Sequence, residues 1–214
     1  SADDAKVYTV TYTPAQNLNA QSVQLSIGSG KFTDLFGNAN TDGAAGSSDA
    51  QDTNNRLTLS VDTKSPTITG VAILGLDSTF GSKSGALTTN DYIEVQVTFS
   101  EALTVTNTSD ISYALNVGGF TKNASYVGHS GNTMTFRYKV LAGDVDDTDG
   151  VTAAANALLL GDAGAITDAA GNIADLRVSA TRADATAAGN GPVANTIVVD
   201  TPAPLVSIQR EGSH

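Results

Sequence analysis

The chain has 214 residues, enough for one or two domains with a real core. Hydrophobic residues make up 40% of it, mostly Ala, Val, Leu and Ile, with no Trp and only 6% aromatics, which excludes a disordered tail. Eleven Lys and Arg face 22 Asp and Glu, and the net charge of -11 makes nucleic acid and anionic membrane poor partners.

In chain order, short apolar runs alternate with Thr, Ser, Asn, Asp and Gly, the punctuation of a β-sandwich. Tyr8-Thr9-Val10-Thr11-Tyr12 reads as a strand. Phe32 to Asn38 reads as a loop, and Leu59-Ser60-Val61 as a strand that runs into Asp62. Ile93, Val95, Val97 and Phe99 alternate with Glu94, Gln96 and Thr98, the mark of a half-buried strand. Met134, Phe136, Tyr138 and Val140 alternate with Thr135, Arg137 and Lys139 in the same way. Further strands are expected at 67–74, 111–117, 121–127, 174–179 and 194–200. Gly118-Gly119 and Gly131-Asn132 are turn signals between strands. The stretch 153–160 is the one place where a helical turn fits. Seven or more short strands at this spacing predict an all-β Greek-key sandwich, with barrels and jelly rolls as rivals.

An internal repeat organises the chain. Phe32-Thr33-Asp34-Leu35-Phe36-Gly37-Asn38 returns as Ile166-Thr167-Asp168-Ala169-Ala170-Gly171-Asn172. Leu59-Ser60-Val61-Asp62-Thr63-Lys64-Ser65-Pro66 returns as Ile197-Val198-Val199-Asp200-Thr201-Pro202-Ala203-Pro204. More loosely, the strand at 8–12 lines up with Met134 to Tyr138. Residues 1–63 thus match the second half of the repeat, and nothing matches 67–128 twice. The expected organisation is the C-terminal part of a first domain over 1–64, a complete domain over 65–201, and the start of a following domain or a cloning tail over 202–214. Half a sandwich leaves an apolar face bare, which is costly. Either the missing half lies outside the sequence, or another segment or chain covers the face.

Four strings in this order resemble tandem bacterial immunoglobulin-like domains of large repetitive adhesins, including the calcium-dependent extender domains of RTX adhesins. They are Val97-Thr98-Phe99-Ser100-Glu101-Ala102-Leu103-Thr104-Val105, then Ala142-Gly143-Asp144 with Asp149-Gly150, then Ile166 to Asn172, then Val199 to Pro204. The resemblance covers nearly the whole chain. It implies an immunoglobulin-like β-sandwich repeated in tandem, secreted to the bacterial cell surface. It also implies a spacer rod with neighbouring domains of the same chain as partners and calcium at the junctions. The surface ligand of such an adhesin is not implied.

The acids themselves point to calcium. Nineteen are Asp and three are Glu (Glu94, Glu101, Glu211). Asp is a poor strand residue, a good turn residue and a hard-cation ligand. Solvated turns that keep the protein soluble are the alternative. Four places are candidates. Asp144, Asp146, Asp147 and Asp149 crowd four carboxylates into six residues, without the spacing of an EF-hand. The Asp34 to Asn38 loop and the Asp168 to Asn172 loop offer an Asp and an Asn each, or are plain turns. Asp62 and Asp200 end apolar strands ahead of Pro66, Pro202 and Pro204, where a carboxylate could share an ion with the next domain. Glu101 continues the apolar phase of its strand and needs a partner, either an ion or a Lys, Arg or amide. Asp91 shares that phase, but the strand between them spans roughly 33 Å, so the two serve opposite ends of the domain. Glu101 is expected to join Asp62 at the first junction.

Catalysis is the weaker reading. With no Cys there are no disulfides, thiol nucleophiles or zinc thiolates. His129, the one internal His, lies in Gly128-His129-Ser130-Gly131-Asn132, a hairpin tip and not a held base. No aromatic platform marks a carboxylate pair as a glycosidase site. The serious rival is a glycan-, peptide- or ice-binding module of the same adhesin. Tyr92, Tyr113, Phe120 and Tyr126 could serve it, although Phe120 and Tyr126 also fit core positions.

Overall fold

The computed structural model describes residues 10–40, 56–146, 150–153, 156–176 and 197–201. The chain divides into two units, Ser1–Lys64 and Ser65–His214.

In unit 1, β1 (Gln21–Ser26) pairs antiparallel with β2 (Arg56–Val61). Residues directly opposite each other share a face. The register sets Val23 against Leu59, Leu25 against Leu57 and Gln21 against Val61, so five apolar side chains line one face. Ser22, Gln24, Thr58 and Ser60 line the other. Among the described residues of this unit, no hydrophobic side chain is buried. The strand expected at 8–12 is not found where it can be seen: residues 10–12 form no strand, and Tyr8 and Thr9 lie outside the described residues. Val23 and Leu25 supply the apolar alternation that pairs with β2 instead.

In unit 2, the described residues form a six-stranded antiparallel sheet, ordered β10-β6-β7-β8-β4-β3. Its members are β3 (Ile68–Leu76), β4 (Tyr92–Phe99), β6 (Ser112–Val117), β7 (Phe120–Ser130), β8 (Thr133–Lys139) and β10 (Leu158–Leu159). Two short ladders and loops form the opposing layer. One ladder pairs β5 (Thr104–Thr106) with β11 (Ala165–Thr167), the other β9 (Val145–Asp146) with β12 (Val199–Asp200). Ile93, Val95, Val97 and Phe99 of β4 and Met134 and Phe136 of β8 point into the core. Leu87, Leu103, Val151, Ile166 and Val199 meet them from the other layer. The period-two reading of both strands therefore holds. Glu94 departs from it: it is buried on the outer face because Arg137 opposite and Gln96 beside it take both its carboxylate oxygens, at 2.8 Å each.

The helical turn expected at 153–160 is absent among the described residues. Leu158 and Leu159 instead add a strand to the edge of β6, opposite Tyr113 and Ser112, and residues 154–155 are not described. One 3-10 turn occurs at Thr108–Asp110. The strand expected at 174–179 reduces to a bridge between Asp175 and Thr67, with residues 177–179 outside the described set.

Candidate metal centre

The Asp-x-x-Gly-Asn sequence closes on itself the same way in both units. Asp34 Oδ1 accepts the N–H of Phe36 and of Asn38, both at 2.9 Å, and Oδ2 accepts Asn38 Nδ2 at 2.8 Å. Asp168 Oδ1 accepts the N–H of Asn172 at 2.9 Å, and Oδ2 accepts Asn172 Nδ2 at 2.7 Å. Both loops close with the Asp N–H on the Asn carbonyl and the Gly N–H on the Asp carbonyl. The glycine in each is left-handed, with φ of 85° at Gly37 and 90° at Gly171, which is why Gly stands there. A bridge follows at matching places, Thr33 to Ala39 and Thr167 to Ile173.

Burial separates the two loops. Asp34 is exposed, and Asp168 is 5% exposed. Burial pushes the Asp168 carboxyl up, but the Asn172 hydrogen bonds outweigh it and hold the group below its ordinary value. The Asn38 hydrogen bonds lower Asp34 likewise. Both are therefore ionised at neutral pH. A carboxylate oxygen of Glu101 lies within 4.8 Å of one on Asp168. Glu101 sits just past the end of β4, and Asp168 just past β11. The opposing layer thus brings together two acids far apart in sequence. The donors on Asp168 are amides, and among the described residues no Lys or Arg pairs with it.

Asp91 and Asp144 are different. Asp91 Oδ2 pairs with Lys83 Nζ and accepts the Thr88 N–H at 2.6 Å and its hydroxyl at 2.9 Å. Asp144 Oδ1 meets Lys122 Nζ at 2.7 Å, while Oδ2 accepts Tyr138 Oη at 2.7 Å and the Leu141 N–H at 2.9 Å. In both, burial raises the carboxyl and the lysine with its neighbouring hydrogen bonds lowers it further, for a net fall. Asp146 is 3% exposed; its Oδ2 accepts the Gly118 N–H at 2.9 Å, and its Oδ1 is buried with no hydrogen-bond partner among the described residues. Gly118 has to be glycine: a Cβ would lie 1.9 Å from the Val145 carbonyl oxygen. Asp147 and Asp149 lie outside the described residues.

Asp62 belongs to unit 1, where its Oδ1 accepts the Lys64 N–H at 3.1 Å. Asp200 is exposed, and its N–H donates to Leu87 O at 2.9 Å. The residue after each does something the sequence reading passed over. Thr63 donates its hydroxyl to Ala15 O at 2.8 Å and accepts the Leu18 N–H at 3.0 Å. Thr201 donates to Asp144 O at 2.8 Å and accepts the Gly143 N–H at 2.9 Å. In each unit this hydroxyl latches the end of the last strand to a distant loop. Lys83, Lys122, Tyr138 and Arg137 were likewise missed as partners. Pairing a lysine to an Asp needs the sheet register, which composition does not carry.

The aromatic residues divide. Tyr113 is core, and Tyr126 packs edge-on against Phe136 with centroids 5.8 Å apart. Phe120 is not core but 70% exposed. It opens β7 beside the Gly118-Gly119 turn and borders a cleft of about 410 Å³, lined also by Val117, Lys122, Asp144 and Val145. Tyr92 packs on Phe80 at 4.9 Å, and the Arg137 guanidinium lies 4.4 Å from the Phe80 ring centroid.

An antiparallel sheet facing a layer of short ladders, nearly without helix, defines an immunoglobulin-like β-sandwich. Residues 1–57 match the family model of the bacterial Ig-like domain, in agreement with the immunoglobulin-like resemblance read from the sequence. Searches of curated proteins and of solved structures give no match.

Proposed function

We propose that the chain is a non-enzymatic spacer segment of a bacterial surface adhesin, extracellular and stiffened by calcium. The observation that carries this reading is the Glu101–Asp168 pair. Two carboxylate oxygens within 4.8 Å, with Asp168 buried, repel unless a cation or proton lies between them. The donor set is all hard oxygen, which suits calcium and not a thiophilic metal. Glu101 and Asp168 would supply carboxylates; the buried Oδ1 of Asp146 offers a second place. Asp62 and Asp200, each at the end of the last strand of its unit and followed by Pro-bearing chain, support the reading of ions at domain junctions. His129, whose Nδ1 lies 2.7 Å from Tyr126 Oη, has no nucleophile or acid in a catalytic arrangement among its described hydrogen bonds.

Thermal unfolding of chelated protein tests this, with and without millimolar calcium and with magnesium as control. An ion that binds only the folded state raises the midpoint by mass action, by about 2.7 kcal/mol of stability at a hundred times Kd. The expected result is a calcium-specific rise that Glu101→Gln removes, with a chelated midpoint at or above that of the parent chain because the repulsion with Asp168 is relieved. Equal midpoints in calcium and chelator end the ion reading. The half-exposed Phe80, stacked under Arg137, favours a second reading as a glycan- or peptide-binding module. Reproducible capture on a glycan or peptide array, lost in Phe80→Ala, would establish it.

A further inference from the structure

The core-facing residues of β3, β4 and β8 alternate with an outward set. In that outward set Leu76 stands opposite Tyr92, Leu74 opposite Glu94, and Glu94 opposite Arg137. Glu94 is the one acid among the paired outward residues of these three strands. The loop after β3 brings Phe80 onto this face. Asp77 Oδ1 accepts the N–H of Thr79 at 2.8 Å, its hydroxyl at 2.7 Å and the N–H of Gly81 at 2.9 Å. The Phe80 N–H donates to Asp77 O at 3.0 Å, and the Asp77 N–H to Gly81 O at 2.8 Å. These bonds hold Phe80 at a φ of 67°, a left-handed conformation that a bulky side chain rarely adopts. Such strain persists only where the surrounding structure enforces it, and it collects at ligand sites. The ring it presents is 50% exposed, packed on Tyr92 and 4.4 Å from the Arg137 guanidinium.

Arg137 is held in place with part of its donor set unused. Its Nε donates to Glu94 Oε2 at 2.8 Å, and Gln96 Nε2 donates to Glu94 Oε1 at 2.8 Å. Glu94 is buried, so this pair fixes the plane of the guanidinium. Among the described residues no hydrogen bond reaches Nη1 or Nη2, and the side chain is 29% exposed. Two coplanar N–H groups of this kind match the two oxygens of a carboxylate. Exposed Leu74 lies across Glu94 from Arg137, and exposed Lys139 follows two residues along β8 on the same face.

We propose that, within the binding-module reading above, on which this depends, the patch docks an acidic peptide. An Asp or Glu carboxylate of the peptide takes the Nη1 and Nη2 groups of Arg137, and a neighbouring apolar side chain packs on Phe80 and Leu74. An aromatic ring beside a fixed Arg is the composition of a protein contact. A saccharide fits less well. It brings mainly hydroxyl donors, and the one outward carboxylate here already has both oxygens occupied. The net charge of -11 does not forbid an acidic ligand, because the Debye length at physiological salt is about 8 Å and the local contact decides.

A peptide array probed with the 214-residue chain tests this. Its spots carry Asp or Glu beside Leu, Val or Phe, each matched to a spot with Asn or Gln in place of the acid. Expected is capture by the acidic spots, weaker by about tenfold or more on their amide matches. Arg137→Lys keeps a charge beside Glu94 but loses the paired N–H groups. Phe80→Asn keeps a residue that tolerates the left-handed backbone but loses the ring. Each should lower capture by about tenfold or more with the chain still folded by its thermal transition, and Phe80→Asn carries the test if Arg137→Lys unfolds. Equal capture by acidic and amide spots overturns the proposal; if Phe80→Asn abolishes that capture, the binding-module reading stands without a carboxylate contact. Capture on a glycan array and not on the peptide array overturns it and gives the patch to a sugar. A dimer in sedimentation that Arg137→Lys dissociates overturns it and gives the patch to the acids of a second copy. No capture on either array ends both the proposal and the binding-module reading.

Discussion

Asp168 and Asp34 make the same hydrogen bonds in different surroundings, so they separate the worth of a bond from the worth of its burial. Removing a buried acceptor leaves donors unsatisfied, which costs more than removing one that water replaces. Asp168→Ala is expected to lower stability by about 1–2 kcal/mol in urea unfolding, and Asp34→Ala to leave the midpoint nearly unmoved. The pH dependence follows from the shifts. Asp91, Asp144 and Asp168 have folded values below their unfolded ones. Their contribution is full above about pH 4 and is lost as pH falls through the depressed values. Urea midpoints should hold from pH 7 to 5 and drop toward pH 3, less steeply in Asp144→Asn. At the alkaline end, burial pushes the Tyr113 hydroxyl up to about 12. A raised value means stability present below about pH 10 and lost as pH climbs toward the folded value, so Tyr113→Phe should flatten that limb.

At the scale of elements, the two long alternating runs were legible because the period of two survives wherever one face meets a core. The Asp-x-x-Gly-Asn loops were legible as turns for a local reason: Asp, Gly and Asn satisfy each other within five residues. What stayed hidden was non-local. Glu101 was read as a strand-end acid in search of a partner, but its nearness to Asp168 depends on β5 pairing with β11. Asp144 was read as one of four crowded acids, yet Lys122 on β7 reaches it across the sheet end. Of the strand expected at 8–12, the described residues 10–12 form none, while Val23 and Leu25 of β1 carry the apolar alternation opposite β2. Tight packing of β9 on the β6–β7 turn yields a sharp test. Gly118→Ala should cost about 3 kcal/mol or more, because the added methyl meets the Val145 carbonyl and the shift it forces strains the residue 118 N–H bond to Asp146. Gly119→Ala has open space but a φ of 86° and should cost about 1 kcal/mol.

For the whole molecule, the described residues of the two units are unequally built. Unit 2 has a continuous core from Ile68 to Val199; unit 1 has an amphipathic strand pair and a closed loop. Two unfolding transitions are therefore expected by calorimetry, the first small and shallow and the second cooperative. Calcium should move the second through Glu101 and Asp168, and a Glu101→Gln chain should show that transition fixed in calcium and in chelator alike. The repeat made the inequality readable in advance, because only the second half of the repeat occurs twice. The latching roles of Thr63 and Thr201 were not readable, since Thr is common throughout the chain and nothing local distinguishes these two.

The Asp34 loop keeps its complete hydrogen-bond set in a unit with no buried apolar side chain among its described residues. Its closure spans few residues, so little chain entropy is lost, and loops of this size close in well under a microsecond, about 10–100 ns for ten residues. Its counterpart at Asp168 can then be in place before the six strands condense on it. In the kinetics of refolding, Asp168→Ala should slow the folding arm and leave the unfolding arm nearly level, whereas Val199→Ala, in the last described strand in chain order, should do the reverse.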